Sequence, residues 1–175
     1  TLYDLCKIDH KPTTHDLGYK LGPRINAGGR VGKSSHGAEL LASNDPQRVF
    51  KIALDLEKSN SERQAIEHLL TEYVNIEAKK FSKDSVLVLS GNHWHEGIIG
   101  IVASRLTETY YRPTLVFTKS GDKLAASARS VKGFDVYNAL EACSEHIEQF
   151  GGHMYAAGLT LLEKDYGKFK AKFEE

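Results

Sequence analysis

Several features that often define the class of a protein are scarce in this sequence. Methionine occurs once, at Met154, and we therefore expect the 175 residues to be a segment of a larger protein. The two cysteines, Cys6 and Cys143, are too few for a disulfide framework or a zinc site, and we expect Cys143 to be a buried free thiol. No apolar run approaches the roughly 20 residues that a membrane helix needs. We expect a soluble, cytoplasmic protein with no membrane partner.

A net charge of one sign is also lacking, since lysine plus arginine and aspartate plus glutamate both number 23. This balance excludes a protein-wide basic field of the kind that many nucleic-acid-binding domains carry. The charges are nevertheless separated along the chain. Residues 20–33 and 123–132 carry only basic charges, whereas residues 55–77 are rich in acids. A neutral total is therefore compatible with a phosphate-bearing partner, provided that the partner is confined to a groove.

Motifs of several enzyme classes are missing as well. The sequence contains no nucleophile elbow, no Walker loop and no quartet of zinc ligands. Most acidic residues fall on a predicted long helix, where a solvated face is their usual place, and they form no cluster suited to a catalytic metal pair. We therefore expect no metal or other cofactor in this segment. The sequence does contain several elements suited to holding phosphate.

The first of these elements is the run from Gly22 to Gly32, which reads Gly-Pro-Arg-Ile-Asn-Ala-Gly-Gly-Arg-Val-Gly. Glycines let backbone N–H groups approach an anion closely, and arginine offers a planar fork of donors for phosphate oxygens. The composition predicts a loop that holds phosphate against the backbone. The alternative is a glycine-rich turn with incidental basic residues, and composition alone leaves the two equally matched.

A long helix is predicted after this run. Asp45 and Pro46 are typical of an N-cap and a first helical position, and no glycine or proline follows until Asp84. Apolar residues keep a helical period except across residues 59–63, which indicate either a new capping box or an exposed middle. If unbroken to Phe81, the helix would span roughly 50 Å. A helix of this length with few core residues in its middle is typical of a connector between two domains.

Strands and helices alternate after residue 84. Apolar runs predict strands, and amphipathic periods predict helices, among them one over residues 134–150 that ends with Gly151 as its C′ residue. This alternation favours an α/β sheet covered by helices. The predicted strands are residues 85–90, 113–118, 124–131 and 158–162, and the predicted helices are residues 97–110, 134–150 and 165–173.

Three segments in this region are suited to binding an anion. His95 lies in a predicted strand-to-helix turn, where α/β proteins place ligands, and with His93 it makes only a weak metal signal. Arg129 follows on a strand of small residues and could point into a groove; an edge-strand arginine facing water is the alternative. The third segment, 151–158, places two glycines directly before His153, which predicts exposed N–H groups beside an imidazole; a structural histidine is the alternative.

Taken in order, these elements resemble the RecJ single-strand-specific exonucleases of the DHH phosphoesterase superfamily. The resemblance rests on residues 22–32, on the His-Glu-Gly-Ile-Ile-Gly turn at residues 95–100, on Ser-Ala-Arg-Ser at residues 127–130 and on Gly-Gly-His with Ala-Ala-Gly at residues 151–158. It implies a mixed DHHA1-type sheet flanked by helices and preceded by a long connector helix. Residues 1–44 would be the tail of a DHH domain, residues 45–83 the connector and residues 84–175 the DHHA1 domain.

The resemblance also implies an activity and a set of site residues. The family degrades single-stranded DNA from 5′ to 3′ in repair and recombination with two Mn²⁺ or Mg²⁺ ions, which the DHH domain binds. The strand passes between the two domains. His153 would orient the scissile phosphate, and the other matching positions would contact phosphate or nucleotide: Arg24, Asn26, Arg30, His95, Ser127, Arg129, Ser130, Gly151 and Gly152.

The Asp-His-His motif of the family is absent. Asp9-His10-Lys11 resembles it only superficially, because it stands too close to Gly22 and has lysine in place of the second histidine, so we interpret it as a loop. We therefore expect this segment to bind DNA without supplying metals, and to be inactive alone. One alternative is a DHH–DHHA1 phosphodiesterase of short oligonucleotides or cyclic dinucleotides. A second is a non-catalytic nucleic-acid-binding scaffold.

Overall fold

The computed structural model describes residues 1–81 and 84–175 of the chain. It divides into two compact units, Thr1–Ile66 and Glu67–Glu175, and a single long helix contributes residues to both. In the described residues no helix combines the length and the apolar character that crossing a membrane requires.

The first unit is helical. It contains the helices α1 (Leu2–Leu5), α2 (Thr14–Asp16), α3 (Gly22–Val31) and α4 (His36–Ala42), and α2 leads into α3 through a π-helical turn, Leu17–Leu21. One small core joins Leu40 of α4 to the long helix through Ile52, Ala53 and Leu56. A second cluster consists of Cys6, Ile8 and Leu21. Asp9 and His10 lie outside any helix or strand, as we predicted.

The glycine-rich run from Gly22 to Gly32 forms helix α3, and our prediction of a loop was wrong. Glycine inside a helix costs about 1 kcal/mol relative to alanine, which is why the composition suggested a loop. Close packing instead explains the glycine at position 28. A methyl group on Gly28 would lie 2.6 Å from the Lys33 carbonyl oxygen and 3.1 Å from Leu56 Cδ2, so a side chain there would separate α3 from its neighbours.

The predicted long helix is confirmed as α5 (Pro46–Ala78), continued by a 3₁₀ turn, Lys79–Phe81. Asp45 caps it, since its Oδ1 accepts a hydrogen bond of 3.0 Å from the N–H of Gln47. The helix runs unbroken through residues 59–63, so neither a new capping box nor an exposed middle is present. Asn60 and Arg63 are instead buried, and Arg63 Nη2 donates to Asn60 Oδ1 over 3.0 Å.

The second unit is built on a mixed sheet, as the family resemblance implied, and the sheet has five strands where the sequence predicted four. The strand order is β1-β2-β3-β5-β4; β1 and β2 are parallel and the other neighbours antiparallel. Helix α6 covers one face of β2 and β3. The strands are β1 (Leu87–Gly91), β2 (Thr114–Ser120), β3 (Lys123–Arg129), β4 (Gln149–His153) and β5 (Ala156–Leu162), and the helices are α6 (Glu96–Tyr110), α7 (Val136–Ala142) and α8 (Tyr166–Glu174).

The main core lies on the other face of the sheet, against α7 and α8. Phe117 of β2 and Leu161 of β5 are fully buried there and pack with Val136, Leu140 and Phe169. Cys143 is a buried free thiol in this core, as predicted, and burial raises its pKa. Alternation along β3 places Leu124, Ala126 and Ala128 in the core, so its other residues face the side of α6.

The predicted helix over residues 134–150 was wrong in its second half. Helix α7 ends at Ala142, a 3₁₀ turn follows at Ser144–His146, and residues 149–153 form strand β4. Ile147 and Phe150 pack against the core from this segment, which is why their spacing imitated a helical period. Gly151 is therefore not a helix C′ residue: it pairs with Gly158 in the sheet.

Candidate functional site

The sheet brings four of the predicted site residues into two adjacent rows. In the first row, Ser127 of β3 is paired with Gly158 of β5, which is paired with Gly151 of β4. In the second row Arg129, Ala156 and His153 are paired in the same way. Since alternate residues of a strand share a face, both rows lie on the face opposite the main core. Residues distant in sequence thus converge on one surface.

Small side chains make this surface a groove. A cavity of about 400 Å³ lies over the first row and over a third row of Ala125, Thr160 and Gln149. Glu96 and Ile99 of α6 form one wall of the cavity. The glycines leave backbone exposed across the floor, so a ligand can approach the sheet more closely than side chains would otherwise permit. We define this surface, with both rows above, as the sheet-face groove.

Arg129 is held in place beside the groove by neighbours on β3 and α6. Its Nε donates to Ser104 Oγ over 3.1 Å, and its Nη1 donates to the Ala128 carbonyl over 2.8 Å. A methyl group on Gly100 would lie 3.1 Å from Arg129 Nη2 and 3.1 Å from Ser127 Oγ. Gly100 therefore makes room for both side chains. The guanidinium is fixed before any ligand arrives, which lowers the entropy cost of binding an anion.

His95 and His153 share one hydrogen-bonding geometry. His95 is the N-cap of α6, and its Nδ1 accepts from the N–H of Gly97 over 3.1 Å. Nδ1 of His153 accepts from the N–H of Tyr155 over 3.3 Å. A neutral ring that accepts at Nδ1 carries its proton on Nε2, so each exposed imidazole presents an N–H donor outward. Both histidines can donate a hydrogen bond to a phosphate oxygen.

Gly151 and Gly152 differ in what surrounds them. Gly151 has nothing within 4 Å of a built Cβ, because it faces the open groove. Gly152 has φ +149, and a Cβ on it would lie 2.4 Å from the Ala156 carbonyl oxygen and 2.5 Å from Ala157 Cα. Gly152 is therefore required by the backbone of the β4–β5 hairpin, and Gly151 leaves space for a ligand.

Ser130 lies just beyond β3, where its hydroxyl and its backbone N–H both form hydrogen bonds to nearby loop residues. Its hydroxyl donates to the Phe134 carbonyl over 2.8 Å, and its N–H donates to the Tyr155 carbonyl over 3.0 Å. The loop tethers the end of β3 to the residues that follow His153. The predicted ligand contact of Ser130 would thus be secondary to its role in fixing this corner.

The predicted residues Arg24, Asn26 and Arg30 lie on α3 of the first unit. Arg24 is engaged within that unit: it forms an ion pair with Glu57, and its Nη1 donates to the Lys20 carbonyl over 2.9 Å. Asn26 and Arg30 are exposed on the helix surface. These contacts give Arg24 a structural role within the first unit that involves no ligand.

Sequence reasoning did not identify Ser104, Gln149 and Thr160. Ser104 fixes the Arg129 guanidinium, and its spacing of four residues from Gly100 on a predicted helix placed both on one face. Gln149 and Thr160 line the groove floor. They could be found only once β4 was known to be a strand, because their proximity depends on its pairing with β5.

Charges near the far end of the groove are balanced. Lys123 at the start of β3 pairs with Glu148 over 2.6 Å, and this hydrogen bond raises the pKa of Lys123. In residues 1–81 and 84–175, no three histidine, cysteine, aspartate or glutamate side chains converge to hold a metal ion. The groove itself presents exposed backbone beside hydroxyl, guanidinium and imidazole groups.

Comparison with known proteins identifies the class to which this fold and groove belong. The DHHA1 domain family matches residues 83–175, which is more than half of the chain, and the chain belongs to this family. The match contains all five strands and the sheet-face groove.

Within this class, the relatives are RecJ proteins. The chain is 38% identical over 170 residues to the single-stranded-DNA-specific exonuclease RecJ of Dickeya dadantii, covering 91% of the chain and 30% of that relative. It superimposes on the crystal structure of Thermus thermophilus RecJ in complex with Mn²⁺ with a TM-score of 0.88 and 26% identity, covering 99% of the chain and 26% of that structure. The Mg²⁺ complex of the same protein gives a TM-score of 0.83. The predicted RecJ resemblance is confirmed, and the chain spans less than a third of these relatives.

Proposed function

We propose that this chain is the strand-binding part of a metal-dependent exonuclease that degrades single-stranded DNA from 5′ to 3′ in repair and recombination in the cytoplasm. The observation that carries this proposal is the convergence of Ser127, Arg129, Gly151 and His153 on one open face of the sheet. These groups suit a sugar–phosphate backbone. The RecJ relatives are named single-stranded-DNA-specific exonucleases, and this name supports single-stranded DNA as the substrate class.

The contacts of each residue suggest its role in binding the DNA strand. Arg129, fixed by Ser104 and the Ala128 carbonyl, would hold a phosphate through its guanidinium group. His153 and His95 would donate from Nε2 to phosphate oxygens, and His153 would orient the scissile group. Gly151 would allow the strand to lie against the backbone of β4. Asn26 and Arg30 would add contacts from the first unit.

The metal ions would be bound elsewhere in the full protein, in a DHH domain of which residues 1–44 would be the tail, with residues 45–83 as the connector and residues 84–175 as the DHHA1 domain. RecJ structures contain Mn²⁺ or Mg²⁺. Because the described residues hold no suitable ligand set, we expect this segment to be inactive alone. Reproducible Mn²⁺-dependent degradation of single-stranded DNA by the purified segment, abolished by a chelator, would contradict this.

The experiment that tests the proposal is binding of 5′-phosphorylated single-stranded DNA at low salt. We expect Arg129→Ala and His153→Ala each to weaken binding, by about tenfold for a lost charge-assisted contact. Arg129→Ala should also lower the slope of log affinity against log salt by about 0.7, the value for one phosphate of a single strand.

Lys168→Ala is the matched control. It removes one positive charge from the same unit, from an exposed position on α8, which packs against the opposite face of the sheet. Equal weakening by Lys168→Ala and Arg129→Ala would show nonspecific attraction and would overturn the placement of DNA in the sheet-face groove.

A further inference from the structure

A second cavity, of about 150 Å³, lies at the opposite edge of the sheet from β4. Aromatic rings surround it. We call it the β1-edge pocket; Tyr73, Phe81, Trp94 and Tyr166 provide the rings, and residues 88–90 of β1 also line it. Four strand spacings of about 4.8 Å separate β1 from β4, so the pocket is about 19 Å from the outer strand of the sheet-face groove.

The rings of the pocket are held by specific contacts. Trp94 lies over Gly91, where an added Cβ would be 2.1 Å from the indole, so only glycine admits the ring there. Its carbonyl accepts from Thr118 Oγ1 over 2.7 Å, and its ring meets Tyr73 edge to face at 6.3 Å. Tyr166 is fixed from behind by Phe117, with ring centroids 5.2 Å apart. The pocket is therefore largely formed before a ligand binds.

The pocket lies along β1, which is an edge strand of the sheet. Leu87 and Leu89 direct their backbone groups to β2, as the hydrogen bond from Leu87 N–H to the Pro113 carbonyl shows. Val88 and Ser90 therefore direct theirs outward, and Lys170 Nζ reaches the Val88 carbonyl at 3.5 Å. Ser90, one step further, presents an N–H donor beside a C=O acceptor at the exposed end of β1.

We propose that the β1-edge pocket binds a nucleobase. A donor and an acceptor side by side match the edge of a base in the way that an asparagine side chain does, and aromatic rings stack on the faces of bases. Purines should bind more tightly than pyrimidines, because their larger rings bury more area. The charged groups at the rim are already balanced: Glu77 pairs with Lys80, and Lys170 lies 4.8 Å over the Phe81 ring and near Glu174. Recognition would thus depend on the ring more than on phosphate.

Ligand binding in the pocket can be followed by the fluorescence of Trp94, because Trp94 is the one tryptophan of the sequence. We expect adenosine to change Trp94 fluorescence saturably, cytidine to do so at higher concentration and ribose to have no effect. Tyr73→Ala should weaken adenosine binding about tenfold, the worth of one stacking contact. Leu69→Ala is the control, since Leu69 is 67% exposed on the same helix, outside the pocket, and Tyr73 is 55% exposed.

The hydrogen-bonding edge is tested by two changes at one position. Ser90→Pro removes the outward N–H, and proline is tolerated on an edge strand where that N–H is not part of the ladder. We expect this variant to stay folded and to bind adenosine several-fold more weakly, whereas Ser90→Ala keeps the N–H and should bind like the parent protein. Arg129→Ala, in the other groove, should leave adenosine binding unchanged.

Three results would overturn the proposal. The first is no saturable response to adenosine at millimolar concentration. The second is a response that Tyr73→Ala and Ser90→Pro both leave intact while circular dichroism shows them folded. The third is tighter binding of phenylalanine amide than of adenosine, which would indicate a pocket for an aromatic side chain of a protein partner.

Discussion

Gly151 and Gly152 are adjacent in sequence, yet replacing them with alanine should have different effects. The change at Gly152 should affect stability, and the change at Gly151 should affect DNA binding. We expect Gly152→Ala to lower the free energy of unfolding by about 2–4 kcal/mol, because it combines an unfavourable φ with overpacking against Ala156 and Ala157. Urea denaturation measures this change. A loss below about 0.5 kcal/mol would show that the hairpin adapts to the added methyl group and that our account of Gly152 is wrong.

Gly151→Ala provides the comparison. Its Cβ meets nothing within 4 Å, so stability should change by less than about 0.5 kcal/mol. The same methyl group projects into the sheet-face groove and should weaken binding of single-stranded DNA. A variant that binds DNA like the parent protein would exclude close approach of the strand at β4.

His10 gives stability a dependence on pH. Its imidazole lies 3.2 Å from Asp9 Oδ1 and 3.0 Å from the buried Asp16 Oδ2, and these hydrogen bonds raise the pKa of His10. Because the folded pKa exceeds the unfolded value of about 6.5, the stabilisation is complete below that pH and is lost as pH rises through the folded pKa.

We therefore expect the midpoint of urea denaturation to fall between about pH 6 and pH 8, and His10→Ala to flatten this part of the profile. His68→Ala is the control, since its ring is exposed and its nearest carboxylate, on Glu72, is 3.6 Å away. A slope that persists unchanged in His10→Ala would assign the pH dependence to another group.

Sequence patterns predicted those elements whose determinants are local. Asp45 and Pro46 fix the start of α5, and apolar runs fix the strands of the mixed sheet. Strand β4 was missed because its identity depends on pairing with β5, which no local pattern records. Helix α3 was missed for a related reason: Gly28 is explained by close contacts with Leu56 and Lys33, which only the folded unit brings together. Local motifs singled out Ser127, Arg129, Gly151 and His153, but neither their alignment in two rows nor the presence of Gln149 and Thr160 beside them could be predicted without the strand register.

Gly100 of helix α6 should favour the binding of single-stranded DNA while lowering the free energy of unfolding only slightly. Gly100 lies inside this helix, where alanine is intrinsically better by up to about 1 kcal/mol. Its added methyl group would press on Arg129 Nη2 and Ser127 Oγ, both at 3.1 Å. We expect Gly100→Ala to change the free energy of unfolding by less than about 1 kcal/mol and to weaken single-stranded DNA binding several-fold. Parallel denaturation and binding measurements test this, and unchanged binding would show that Arg129 need not be held against α6.

The two units should contribute unequally to DNA binding. The unit Glu67–Glu175 contains the whole sheet, its main core and the groove, so we expect a fragment of residues 67–175 to unfold cooperatively and to keep binding single-stranded DNA. Arg24 forms an ion pair with Glu57 within the first unit, and Arg30 lies on the exposed surface of α3.

If Arg30 contacts one phosphate, two independent changes should have the same effect on salt dependence. Both deletion of residues 1–66 and Arg30→Ala in the full chain should lower the slope of log affinity against log salt by about 0.7. Arg24→Ala should instead lower stability, because it leaves Glu57 without its ion-pair partner. A fragment whose slope equals that of the full chain would contradict any role of α3 in holding DNA and would confine phosphate binding to the sheet-face groove.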